Sequence, residues 1–289
     1  MSYQNFKPEV WAATILKKLR ETGVYASGSH QEFTGVIKKA GDSITFKGMA
    51  DPTVHKVDFE NRNEKLPNPE ILEDLSLKMA IRQLRVVNFG MGDVDEAQAS
   101  GDMLQMSKED LPAVISDEVE QYISSLAVNA DSPKFNGGTP LLIARGSSSA
   151  TQKNPMDLVD DLVEALRDNR VPSATPLEMI VSAKFYKLLK QEFRELDTNN
   201  TDVLRTGEVG KYNNVTIRIS TNIHKTGTNG ANHHLLIRTK KFIGYADAIN
   251  KLEAYRHPEY FSDFIKGLYL FDAKVLRPKQ GFFVPVRFS

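Results

Sequence analysis

Leu75-Ser76-Leu77-Lys78-Met79-Ala80-Ile81-Arg82 places an aliphatic side chain at every second position. That two-residue period is the mark of a strand with one buried face. A matching stretch lies upstream, where Ile44 and Phe46 alternate with Ser43, Thr45 and Lys47 after a Gly41-Asp42 turn. Between the two, Asp51-Pro52, Asn61 to Asn63 and Pro67-Asn68-Pro69 disfavour regular structure. Residues 34–88 therefore read as an outgoing and a returning extended leg with a polar middle. Two legs of ~20 residues at about 3.3 Å each would reach roughly 65 Å. The rest of the chain should have a radius of gyration of only ~17–18 Å. Such a loop would project beyond its own subunit, and a long structureless stretch inside a compact domain is uncommon. It is expected to rest on a neighbour.

Outward from this loop, the N-terminal side holds a helix. Pro8 suits its first turn, Trp11, Ile15 and Leu19 recur at four-residue spacing, and Lys17, Lys18 and Arg20 complement the dipole before Gly23. On the C-terminal side, Asp93 and Glu96 have capping-box spacing, and Ile115, Val119, Tyr122, Ile123 and Leu126 form a helical stripe. Pro112 argues against one unbroken helix and predicts a second start near Asp110. Gly137-Gly138 and residues 146–149 read as loops.

Helix and strand then alternate. Asn154-Pro155 caps a helix with Leu158, Val159, Leu162, Val163 and Leu166 on one face. Val171-Pro172 breaks it, residues 178–181 read as a buried strand, and Ser182 caps a helix carrying Phe185, Leu188, Leu189 and Phe193. Val215, Ile217 and Ile219 alternate as a strand, residues 227–230 form a loop, and the last fifty residues are extended with Tyr269, Phe271, Ala273 and Val275 on one face. The fold class is α+β.

The 289 residues are 40% hydrophobic, with 37 Lys+Arg against 37 Asp+Glu. Zero net charge speaks against a surface that grips nucleic acid everywhere. The absence of cysteine removes disulfides, thiolate metal sites and cysteine nucleophiles. No window approaches the ~18 apolar residues of a membrane span, and no membrane partner is expected.

No catalytic or metal-binding motif stands out, and a carboxylate-cluster reading of the acidic residues would need convergent partners that a sequence does not show. Six histidines are present: His30, His55, His224, His233, His234 and His257. The adjacent His233-His234 side chains diverge, unlike an i,i+4 metal pair, and packing or solvated roles are expected. The glycine-rich stretches lack the Lys-Ser/Thr of a phosphate cradle, and no Gly-x-Ser-x-Gly elbow occurs. An acidic run through Asp93, Asp95, Glu96, Asp102, Glu109, Asp110, Asp117, Glu118 and Glu120 reads as a solvated helix face. A basic bias follows near the C-terminus in Lys240, Lys241, Lys251, Arg256, Lys266, Lys274, Arg277 and Lys279. Segregated charge in a neutral chain suits subunits meeting head to tail, and an unpatterned surface would give the same counts equally well. No catalytic, cofactor-binding or metal-binding residue is assigned, no cofactor is expected, and the chain is not expected to be an enzyme.

In order, these segments resemble the tailed-bacteriophage major capsid protein family. The resemblance is carried by Phe6-Lys7-Pro8-Glu9-Val10-Trp11, Gly41-Asp42-Ser43-Ile44-Thr45-Phe46 with Asp51-Pro52-Thr53-Val54, and Asn88-Phe89-Gly90 with Asp93-Val94-Asp95-Glu96-Ala97-Gln98. In the second half it is carried by Thr206-Gly207-Glu208-Val209-Gly210-Lys211, then Gly267-Leu268-Tyr269 and Ala273-Lys274-Val275-Leu276-Arg277-Pro278.

It implies an N-terminal arm and helix in residues 1–33 and an extended loop in 34–87. A peripheral domain with a spine helix would take 88–140 and 250–276, and an axial domain 141–249 and 277–289. The implied function is a coat protein that self-assembles, as hexamers and pentamers, into an icosahedral shell around phage DNA. An encapsulin-like nanocompartment shell is the alternative. The implied partners are copies of itself, a separate scaffolding protein, a portal, and double-stranded DNA held without sequence-specific binding. Assembly would occur in the host cytoplasm and the destination would be the virion. The early start of the first helix is the reason to expect the scaffold as a separate chain. Some relatives crosslink a loop lysine to a neighbour's asparagine. Lys38, Lys39, Lys47, Lys56 and Lys65 are available, but ordinary solvated lysines are expected.

Overall fold

The two legs of the loop meet as a hairpin. In the computed structural model, β1 (Ser43–Phe46) pairs antiparallel with β2 (Leu77–Ala80), Ile44 facing Met79 and Phe46 facing Leu77. The structure describes residues 23–33, 37–39, 41–46, 76–92, 103–146, 152–195, 210–256 and 262–288. The expected first helix with Trp11, the polar middle of the loop and the Asp93/Glu96 capping box lie outside the described residues.

Before the hairpin comes a single helical turn, α1 (Val24–Ser27). After it, β3 (Gln83–Gly92) runs straight on from β2, so Asn88-Phe89-Gly90 is strand. The next helix, α2 (Met103–Ser125), contains Pro112. The expected break near Asp110 is therefore corrected. A proline inside a helix costs ~3 kcal/mol or more. Here Ile115, Val119 and Ile123 are all buried on the stripe that follows it, and burying each such side chain contributes ~1.5–3 kcal/mol. Packing outweighs the local penalty.

The chain then forms β4 (Leu141–Ile143), β5 (Gln152–Lys153) and α3 (Pro155–Asp168). As expected, Asn154 caps α3, its Oδ1 accepting from the Met156 amide at 2.9 Å, with Pro155 in the first turn. Strand β6 (Leu177–Val181) leads into α4 (Ala183–Glu195), where the Ser182 hydroxyl accepts from the Phe185 amide. A two-residue hairpin, with Asn213 and Asn214 both at positive φ, joins β7 (Lys211–Tyr212) to β8 (Val215–Ile219). Asparagine is among the few residues that accept both left-handed positions of such a turn. The remainder is β9 (Lys225–Thr226), β10 (Asn232–Arg238), β11 (Ile243–Arg256), β12 (Ser262–Val275) and β13 (Gly281–Phe288).

These strands make two larger sheets. One runs β5-β4-β13-β10-β6-β8-β7, with β9 also on β10; the other is β11-β12-β3. Helices α3 and α4 cover one face of the first sheet, on Leu177, Met179, Val181, Leu235, Ile237, Val284 and Val286. Its other face, through Ile180, Leu236 and Phe283, packs with α1 and α2. Strands β6, β10 and β13 are thus buried on both sides, which explains their unbroken apolar runs. Helix α2 also packs on Tyr269, Phe271 and Ala273 of β12 and so bridges both sheets. The β1–β2 hairpin covers the opposite face of the smaller sheet at Ala246 and Leu270.

Candidate functional site

The most constrained polar chemistry lies where α1 is held between α2 and the larger sheet. Glu120 of α2 is 4% exposed, and its carboxylate accepts from the Tyr25 amide at 2.8 and 3.0 Å and the Ala26 amide at 3.1 Å. Orphan amides at a helix start favour such an anion. Burial nevertheless pushes its carboxyl above the usual carboxylate range, against the pull of those amides and of Arg238. Glu120 corrects the expectation of a uniformly solvated acidic face. Asp117 and Glu118 do face solvent, and Glu118 pairs with Arg85 at 3.1 Å.

Arg238, at the end of β10, is wholly buried. Its Nε donates to Glu178 Oε2 at 3.0 Å, its Nη1 to Ser29 Oγ at 3.0 Å, and its Nη2 to the Tyr25 carbonyl at 2.7 Å. Arg218 takes the other oxygen of Glu178 at 2.9 Å. Removing one partner of such a network leaves a buried charge unpaired. Gly28 sits against it so closely that a Cβ would collide with the Glu178 and Arg238 side chains. The clamp fixes residues 23–30 to both α2 and the sheet. A second tie joins the smaller sheet, where Asp272 accepts from Tyr122 Oη at 2.7 Å and from the Arg82 amide at 2.9 Å.

The histidines serve packing. His233 and His234 are buried on β10, and His234 Nε2 lies 2.8 Å from Thr226 Oγ1. His233 meets the Phe288 ring edge-on at 5.0 Å. Burial, helped by nearby His224 and Lys134, pulls the His234 imidazole down to about 4. His30 backs onto Phe46, while His55 and His257 lie outside the described residues. Among the described residues no group of three or more His, Cys, Asp or Glu could hold a metal, and no helix is long and apolar enough to cross a membrane. Lys240, Lys241, Lys266, Lys274, Arg277 and Lys279 are exposed. Of the loop lysines, Lys38 and Lys39 are exposed and give their amides to Asp42, and Lys47, Lys56 and Lys65 lie outside the described residues.

The polar residues of the clamp and of the Asp272 tie hold layers of the fold together. A structure from Mycobacterium phage Che8 superposes with a TM-score of 0.66 at 20% identity, over 99% of this chain and 94% of that one. The capsid of Ralstonia phage GP4 gives 0.61 at 13% identity, over 90% and 87%. The chain has the phage-capsid fold. The capsid of Cyanophage P-SCSP1u adds 0.58 at 19% identity, over 100% and 91%. No family model matches the chain, and no curated protein matches it in sequence. The phage-capsid fold accommodates the clamp, the bridging helix and the hairpin as one layered body. The sequence pointed to none of the clamp's partners. The available signal was Glu120 itself, a carboxylate four residues after buried Ser116 and three before buried Ile123, on the flank of an apolar stripe.

Proposed function

We propose that this chain is the major capsid protein of a tailed bacteriophage, many copies of which close into an icosahedral shell around double-stranded DNA. The observation that carries this is the end-to-end extent of the likeness to phage capsids, 100% of this chain on 91% of the Cyanophage P-SCSP1u capsid chain. In this reading residues 1–33 are the arm, 34–87 the extended loop, 88–140 and 250–276 the peripheral domain, and 141–249 with 277–289 the axial domain. The hairpin β1–β2 would be the base of the loop, and β3 would carry its return leg into the smaller sheet. Hexamers and pentamers of the chain, a separate scaffolding protein and a portal are the partners, with assembly in the host cytoplasm.

Repeated heterologous contacts close only when the rotations between subunits are compatible. Electron microscopy of the purified protein should show closed particles tens of nanometres across, and particles from infected cells should contain DNA. Monomers under every salt and concentration tried would refute the proposal. Particles that hold protein cargo and no nucleic acid would favour the encapsulin-like alternative.

A further inference from the structure

The two helices on the outer face of the larger sheet differ in charge. Helix α3 buries Pro155, Leu158, Val159, Leu162, Val163 and Leu166 on one side. At 3.6 residues per turn, its Asp157, Asp160, Asp161, Glu164 and Asp168 all fall within roughly 50° of the opposite direction. Helix α4 buries Phe185, Leu189 and Phe193 and turns Lys184 and Lys187 the other way, with half-buried Lys190 on its flank. The helices lie side by side over one core, with Asn154 at the start of α3 donating to Glu192 of α4 at 3.0 Å.

Compensation within the chain is partial. Asp161 meets Lys153 at 2.7 Å, and among the described residues Asp160 accepts from neutral groups, Tyr212 Oη and Asn213 Nδ2. Glu164, Asp168, Lys184, Lys187 and Lys190 make no ion pair among the described residues. Like charges at i,i+3 and i,i+4 spacing oppose a helix, and α3 carries them along its whole outer face. Both helices are relieved when a face of opposite sign covers them. With no net charge on the chain, the complement to each face is present on every other copy.

We propose that the acidic face of α3 on one copy docks against the lysine face of α4 on another. This rests on the shell-protein reading and names one of the contacts by which copies associate. Complementary faces give such a contact its register and its selectivity more than its raw affinity. The contact weakens as salt rises, because exposed charges are screened beyond ~10 Å at 0.1 M and ~3 Å at 1 M ionic strength.

The test uses the full chain in two charge-reversed forms, Glu164→Lys with Asp168→Lys, and Lys184→Glu with Lys187→Glu. Among the described residues these four positions have no ion-pair partner to lose, and circular dichroism checks that each form folds. Each form alone should need at least ten times the parent's concentration to assemble in sedimentation. The chain carrying all four changes should assemble near the parent's concentration, and so should an equimolar mixture of the two forms. Assembly of either form like the parent overturns the contact and leaves the shell reading standing. Failure of both the fourfold variant and the mixture to recover also overturns it. Normal assembly of the lysine-reversed form with loss of retained nucleic acid would assign α4 to nucleic acid instead. A parent that forms no particles removes the shell reading and the contact together.

Discussion

His234 makes the fold sensitive to acid by an amount that can be worked out. In the unfolded chain its imidazole titrates near 6.5, and in the folded chain burial holds it to about 4. The folded state therefore binds its proton less readily, so stability is lost as pH falls from about 6.5 toward 4. The residue is 9% exposed, and among the described residues its Nδ1 has no hydrogen-bond partner to stabilise a charge. The positive neighbours His224, Lys134 and His233 act in the same direction. With those two values, the loss from this one group is about 2 kcal/mol at pH 5 and about 3 kcal/mol at pH 4, relative to pH 7. His234→Gln removes the titration and leaves an amide that can reach the Thr226 hydroxyl. Urea unfolding of parent and variant subunits at pH 7, 6, 5 and 4 should give free energies that converge as pH falls, the parent losing about 3 kcal/mol more than the variant. Parallel pH profiles would refute the reasoning and show that the folded protein accommodates a charge at this position.

The clamp and the core give three further expectations. Gly28→Ala should lower the melting temperature by well over 5 °C, because its Cβ collides with Glu178 and Arg238 and one of these must move. Unchanged melting would mean that the contact relaxes freely. Arg238→Met should destabilise by ~3–5 kcal/mol, since it strands a partly buried carboxylate and the Tyr25 carbonyl. Arg218→Met, on an arginine whose side chain is 46% exposed, should cost less than ~1 kcal/mol. Equal losses in denaturant titrations would show that burial does not set the difference. Leu162→Ala should cost ~2–5 kcal/mol, because Leu162 is fully buried beneath α3. A loss below about 1 kcal/mol would mean that the α3 core is loosely packed.

Local patterns were legible in the sequence wherever one element's own period or cap decides its structure. The two-residue period yields a strand over Leu77–Ala80, Asn154 and Ser182 cap their helices, and Tyr269, Phe271, Ala273 and Val275 share the face that packs on α2. Pro112 misled because its penalty is local while the packing that outweighs it is tertiary. The clamp was hidden for a related reason. Glu120 meets Tyr25 across 95 positions, Arg238 meets Glu178 across 60 and Ser29 across 209. No periodicity in any one segment encodes such a pairing. Glu120 shows the limit well: three acids at 117, 118 and 120 look alike in the sequence, yet a helix turns only the first two outward. The third lies beside the apolar stripe, where a carboxylate needs donors, and the start of α1 supplies them. A charged residue on the flank of an apolar stripe therefore indicates that a donor must come from a distant segment, without saying which. At Glu120 that segment is residues 23–30, which the same network ties to the larger sheet. The clamp thus joins three segments that are far apart in the sequence, α1, α2 and the larger sheet, through side chains whose partners no single segment could reveal.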